Sequence, residues 1–338
     1  MSRKIGPAVV GLTAATALSL AACSSGDTDS GEGDAAGSVV GFSYPIEANT
    51  YLKAIGEGAE AQLMASCGAE FLPIDAQLDG NKQISDVEAM ITKNVDAMII
   101  YPLDSNGLKP ALDKAAEAGI KVITMNYSVD DSTAAPPSPS LGQVQDAFPQ
   151  RDLAAQKVEW LESVLPDGGN VLYVGLAFPV AALEAHAMMF EEELANSSNF
   201  NFLGRVDNQT DDSEGGRQAV DEALVRFPEI DAIVSYNDPT ALGAYQALEA
   251  AGKTGAVKVI GNQMQPEVVE SLRNDEIDGS WDFNPVDSGI ALADLACAAL
   301  TGAPEEEYAK TVQIPSQFYD PATVETFKSW DDRVAEIG

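Results

Sequence analysis

The sequence predicts an α/β fold of two similar Rossmann-like lobes, each built on a parallel sheet. Three observations carry that expectation. From Ser38 onward, apolar runs of strand length alternate with helical patterns, as in parallel strands joined by right-handed crossovers. The alternation yields roughly ten strands, more than one sheet holds comfortably. A proline-rich interruption at 130–140, with Pro136, Pro137 and Pro139, parts the alternation into two sets.

The first set opens with a strand at 39–42 and a loop through Tyr44, Glu47 and Asn49. A helix from about Tyr51 follows, with Leu52, Ile55, Ala59 and Leu63 on one face. Strands at 70–74, 95–100 and 121–125 then alternate with helices at 81–93 and 108–118, the latter closed by Gly119. The last of these strands runs into Asn126 and Tyr127. The second set places helices at 153–165, 181–195 and 215–227 around strands at 170–174 and 202–206. Its clearest unit is 231–262. A strand at 231–235 meets Asn237-Asp238-Pro239, a capping pair and a proline where a helix begins, and Gly252 stands at that helix's end. The next strand ends at Gly261-Asn262. Both strand ends present an amide to the sheet edge where open α/β folds hold ligands. A helix at 266–273, an extended 279–283, a long buried helix at 288–300, a strand at 310–314 and a terminal helix containing Val324 and Phe327 complete the chain.

The amino terminus reads differently. Arg3 and Lys4 precede an apolar, small-residue run from Ile5 to Ala22, the order of a secretory signal. Leu20-Ala21-Ala22-Cys23 resembles the bacterial lipobox, so 1–22 is expected to be removed and Cys23 to carry lipid. Residues 23–37 read as a flexible tether. The formal net charge of −34 argues against nucleic acid or an anionic surface as a partner. Cys67 and Cys297 lie in apolar helical patterns and are expected as two buried thiols, with a disulfide as the alternative that an oxidising exterior permits.

Two nucleotide-like motifs carry no such chemistry. Residues 247–254 match a relaxed phosphate loop, yet they lie at a helix end before a strand, where a phosphate loop needs the reverse order. The glycines of 56–61 mimic a dinucleotide fingerprint in mid-helix. His186, the single histidine, has no cluster of metal ligands or catalytic partners around it, and no Gly-x-Ser-x-Gly elbow exists. Neither metal, cofactor nor catalysis is expected.

Residues 96–102, 119–124 and above all 231–261, with Asn237-Asp238 and Ala241-Leu242-Gly243-Ala244, resemble the periplasmic sugar-binding proteins of the ribose-binding type. The resemblance spans 38–315 and implies a periplasmic-binding-protein type I fold. It implies three crossovers, near Gln143 to Asp146, Phe283-Asn284 and Ile314 to Ser316. The lobes would then be 38–143 with 285–314, and 144–284 with 315–338. It further implies a monomer that closes on one small hydrophilic ligand and hands it to an ABC permease with its ATPase. A sensory partner is the alternative.

Carried over position by position, the pocket would draw on Tyr44, Glu47, Asn49, Tyr51, Tyr101, Asn126, Tyr127, Glu184, His186, Asn237, Asn262, Trp281 and Asp282. The chain departs from the family pattern where Asp-Arg is replaced by Asn126-Tyr127, and where arginines are replaced around Leu183 to His186. With no guanidinium facing the pocket, an anionic ligand has nothing to neutralise it on burial. Amides and rings suit a neutral sugar or polyol. A small cation on Tyr or Trp faces is the alternative.

Overall fold

The computed structural model describes residues 35–128, 135–148 and 150–337. The signal segment, Cys23, most of the tether and part of the proline-rich stretch lie outside the described residues.

The first sheet takes β1 (Val39–Tyr44), β2 (Glu70–Asp75), β3 (Ala97–Ile100), β4 (Lys121–Met125) and β5 (Gly142–Phe148). Around these strands pack α1 (Thr50–Cys67), α2 (Gly80–Lys93) and α3 (Ser105–Glu117). The second sheet takes β6 (Gly169–Leu176), β7 (Phe200–Asn208), β8 (Ala232–Ser235), β9 (Lys258–Gln263) and β10 (Gly279–Asp282). Its helices are α4 (Gln150–Val164), α5 (Ala181–Asn196), α6 (Ser213–Arg226), α7 (Asp238–Ala250) and α8 (Pro266–Arg273). The chain then returns through α9 (Pro285–Thr301), the short α10 (Glu305–Tyr308) and β11 (Thr311–Pro315), before β12 (Gln317–Tyr319) and α11 (Trp330–Val334).

The strand orders are β11-β5-β4-β3-β1-β2 and β12-β10-β9-β8-β6-β7. Every pair is parallel except β10 with β12. Strand order reverses at β1 in one sheet and at β6 in the other, so each has a switch point at its carboxyl edge. Fully buried Val40, Ile99, Val171, Val234 and Ile260 fill the apolar interior of the sheets.

Several expectations need correcting. Two of the twelve strands among the described residues, β5 and β12, were not expected. β5 buries Gln143, Gln145 and Asp146, and polar residues hide a strand from any apolar-run reading. β12 is a three-residue edge strand. Because Gly142–Phe148 pairs with β4 and β11, the first crossing falls after β5 rather than near Gln143 to Asp146. The expected terminal helix is a 3-10 turn at Val324–Thr326 followed by α11.

Cys67 and Cys297 are not free thiols; they form a disulfide with Cα atoms 5.8 Å apart. Paired glycines bring the two helices together. A Cβ on Gly58 would sit 2.7 Å from the Val286 carbonyl oxygen, and one on Gly289 would sit 2.1 Å from that of Ile55. Without side chains there, α1 and α9 pack backbone to backbone, within reach of a bridge.

Candidate functional site

The carboxyl edges of the two sheets face one another, and α1 begins between them. Asn49 caps α1, its Oδ1 accepting from Tyr51 N (3.0 Å) and Leu52 N (3.3 Å). Its Nδ2 is then free to donate across the cleft to Asp211 Oδ2 at 3.2 Å. The next residue, Thr50, bonds Gln265 of the second lobe through its hydroxyl. The one after, Tyr51, donates its hydroxyl to Asp146.

Asp146 is the centre of the first lobe's wall. Asn126, at the end of β4 with φ 50°, donates Nδ2 to Asp146 Oδ1 at 2.6 Å and to the Tyr101 hydroxyl at 3.1 Å. Asn126 Oδ1 accepts the Asp146 N–H in return, at 3.2 Å. Burial raises the Asp146 carboxyl above its ordinary value, while the bonds from Tyr51 and Asn126 pull it back. Burial likewise pushes the Tyr51 and Tyr101 hydroxyls up, with the neighbouring Asp146 adding to it.

Asp211 holds the corresponding place in the second lobe, on the loop between β7 and α6 at φ 59°. Asn237 caps α7 through Oδ1 to Thr240 N (2.9 Å) and donates Nδ2 to Asp211 Oδ1, also at 2.9 Å. The Tyr236 hydroxyl donates to the same oxygen. Burial raises Asp211, and these donors lower it. Behind it, fully buried Asp238 accepts from Ser280 Oγ and Gln265 N, both at 2.6 Å, which fixes the loop after β9. Asn262 donates to the Ser235 carbonyl, and its Oδ1 is buried with no partner among the described residues.

A cavity of about 40 Å³ lies between the lobes, lined by Asn49, Leu52 and Tyr101 on one side and Val180, Leu183, Asp211, Tyr236 and Gln263 on the other. That volume suits about one water. Anything larger therefore enters only when the lobes part and the Asn49–Asp211 and Thr50–Gln265 bonds break.

The structure brings Asn49, Tyr51, Tyr101, Asn126 and Asn237 to this cleft, with Asn262 on the strand edge behind it. Others from the sequence reading lie elsewhere. Tyr44 is buried beneath α1, its hydroxyl over Gly56. Glu47 is exposed. Tyr127 bonds the start of α3, its hydroxyl 3.2 Å from Ser105 O. Glu184 makes a two-pronged ion pair with Arg205, both contacts at 2.9 Å. Trp281 is core, packed on Phe318 at 4.4 Å, with its indole N–H 3.3 Å from Gln156. Asp282 is taken by Arg333 at 2.6 Å and by the Asn284 N–H at 2.9 Å, beside the second crossing. His186 packs edge-on to Phe283 at 6.0 Å, and its Nε2 has no partner among the described residues.

Asp146, Asp211, Tyr236 and Gln265 escaped the sequence reading. The strand-end rule applied to β7 would have found Asp211. Nothing marked Asp146, because its strand was not recognised.

Residues 40–304 match the periplasmic binding protein domain. The chain belongs to the periplasmic binding protein family. That family is one of binding proteins rather than enzymes. The ribose import binding protein of Bacillus subtilis is 26% identical over 281 residues, covering 82% of this chain and 85% of that one. The xylitol-binding protein of Mycolicibacterium smegmatis is 25% identical over 299 residues, 87% and 80% of the two chains. Among solved structures, a solute-binding protein from Bacillus halodurans C-125 with bound myo-inositol superposes with a TM-score of 0.74 at 23% identity, covering 87% of this chain and 98% of that one. A Mycobacterium smegmatis protein in complex with β-D-fucofuranose gives a TM-score of 0.77 at 22% identity, covering 89% and 97%. Among the described residues of this binding protein, no group of three or more His, Cys, Asp or Glu could hold a metal, and no helix is long and apolar enough to cross a membrane.

Proposed function

We propose that this binding protein is the extracytoplasmic solute receptor of an ABC importer and that it takes a small sugar or polyol between its lobes. The observation that carries this reading is the pair of facing walls. Asn49, Asn126 and Asn237 with Asp146 and Asp211 converge from both sheet edges, and in the closed form they bond one another where a polyhydroxylated ligand would take their place. Amide donors and carboxylate acceptors suit hydroxyls, which donate and accept at once. Ligand contacts from both walls favour the closed state over the open one, the differential affinity that hinge closure requires. The lobes that move would be 38–148 with 285–315, and 150–284 with 317–337. Release would pass the ligand to a permease and its ATPase, the receptor acting as a monomer tethered by lipid on Cys23. The sugar and polyol names of the relatives support this class.

Calorimetric titration of the mature chain against pentoses, hexoses, inositols and acyclic polyols tests the reading. Saturable binding to a member of this class is expected; turnover of any of them, or silence across the panel, overturns it. For the anchor, Cys23→Ala is expected to move the protein from the membrane fraction to the medium. Retention on the membrane would refute it.

A further inference from the structure

The last segment of the chain lies across the pivot between the lobes. By its pairing it belongs to the second lobe: β12 runs antiparallel to β10, Phe327 meets Tyr319 edge-on at 5.3 Å, and Glu325 holds Arg273 of α8 at 2.8 Å. The chain then doubles back. α11 packs on α1 and α9 of the first lobe, where buried Trp330 sets its ring edge-on to Tyr51 at 6.2 Å. Tyr51 is the residue whose hydroxyl holds Asp146 in the cleft wall.

One side chain in this strap ties the crossings together. Arg333 donates to Asp282 Oδ2 at 2.6 Å and to Asn284 Oδ1 at 2.7 Å, on either side of Phe283. Asp282 ends β10 in the second lobe, and Asn284 precedes α9 in the first. Asn284 also donates Nδ2 to the Pro315 carbonyl at 2.8 Å, at the end of β11 and the third crossing. The guanidinium thus bridges both lobes directly and reaches the third crossing through one further amide. Its planar fork fits two acceptors only at a fixed separation, so it selects one setting of the torsions between them.

Those torsions are unusual. Asn284 is left-handed, at φ 51° and ψ 60°, and a non-glycine residue stays there only where its surroundings over-determine it. Here its N–H is bonded to Asp282 Oδ1 at 2.9 Å, and both polar atoms of its side chain are engaged. Asp282 is fully buried; burial raises its carboxyl, and Arg333 is foremost among the groups that pull it back. None of Asp282, Asn284, Trp330 and Arg333 lines the cavity between the lobes. What they do to binding, they do through the pivot.

Resting on the reading of a receptor that closes on its ligand, we propose that Arg333 is a positioning residue for closure: the carboxyl-terminal strap latches the pivot in its closed setting and so sets affinity without touching the ligand. Opening turns Asp282 and Asn284 apart and loses one prong of the fork. The latch determines the fraction of molecules competent to hold a ligand. Weakening it therefore lowers the apparent affinity for every ligand by one common factor.

The test combines Asp282→Asn with Arg333→Met in the mature chain. The pair removes both charges together, so that none is left buried alone, and keeps an acceptor for the Asn284 N–H. Wild type and variant are titrated with ribose, xylose, fructose, myo-inositol and xylitol, and their ligand-free forms are compared by small-angle scattering. Each compound that binds the wild type is expected to bind the variant about tenfold more weakly, the scale of one charge-assisted hydrogen bond. The ligand-free variant is expected to be the larger molecule, and Arg333→Lys, which keeps one prong, should fall between the two. Unchanged affinities, losses confined to some compounds, or a ligand-free variant as compact as the wild type each overturn the latch. Should the variants fail to fold, hydrogen exchange in the wild type decides. The amides of Trp330–Val334 should gain protection when a compound of the panel closes the lobes, and equal exchange with and without it overturns the proposal. If no compound binds, the receptor reading falls, and the scattering comparison still judges the latch by itself.

Discussion

The two walls of the cleft solve one problem in different ways. Asp146 sits within a strand, and its partners Tyr51 and Asn126 belong to its own lobe. Asp211 sits on a loop in a left-handed conformation and reaches Asn49 of the opposite lobe. The first wall is built before any ligand arrives; the second is completed by closure. The lobes differ in the same sense, since the first is stapled by Cys67–Cys297, and the second has no such bridge among its described residues. The contrast teaches that a hinged receptor needs one rigid wall and one that registers the partner.

Four measurements sharpen or break that contrast. The largest effect is expected from replacing both Cys67 and Cys297 by alanine, about 2–4 kcal/mol of unfolding free energy by urea titration. A loss below about 0.5 kcal/mol would show that the staple does not stiffen the first lobe. Next, Asp146→Ala strands the Tyr51 hydroxyl and the Asn126 amide in the interior and should cost about 2–3 kcal/mol. Asp211→Ala should cost about 1 kcal/mol or less, since its loop can relax toward water. It should instead enlarge the ligand-free molecule in small-angle scattering. An Asp211 variant as destabilised as the Asp146 one would erase the distinction.

The smallest effect concerns pH. Burial raises the folded carboxyls of Asp146, Asp211 and Asp238 above their unfolded value. The native state therefore binds their protons first on acidification. These groups should add stability as pH falls from neutrality toward about 4, and contribute no further change below that. Chemical denaturation at stepped pH should show this rise in the wild type and a shallower one in Asp146→Asn. A wild-type profile falling monotonically from pH 7 would contradict the assigned shifts.

Much of the architecture was legible because strands buried on both faces read as continuous apolar runs, as 231–235 and 257–260 do. The amide caps were legible too, since Asn49 and Asn237 stand where a helix start needs an acceptor. What was hidden was hidden for a physical reason. Gln143, Gln145 and Asp146 are buried by partners far away in sequence, which composition cannot reveal. Asp211 looks like any acidic loop residue until Asn49 is placed 162 positions away in sequence yet in contact. Glu184 and Asp282 looked free because Arg205 and Arg333 lie 21 and 51 residues off. Carboxylate roles depended on pairing, and pairing is a property of the fold.

Asn49, Thr50 and Tyr51 follow one another on a single backbone, yet they hold Asp211, Gln265 and Asp146 in turn. The far end of that same helix is bolted to α9, which starts at the second crossing between the lobes. The helix thus has its tip in the cleft, next to the second crossing where Tyr51 meets Phe283, and its heel at the bolt. A reductant acting on the bolt, well away from any sugar, would loosen the grip of all three fingers together.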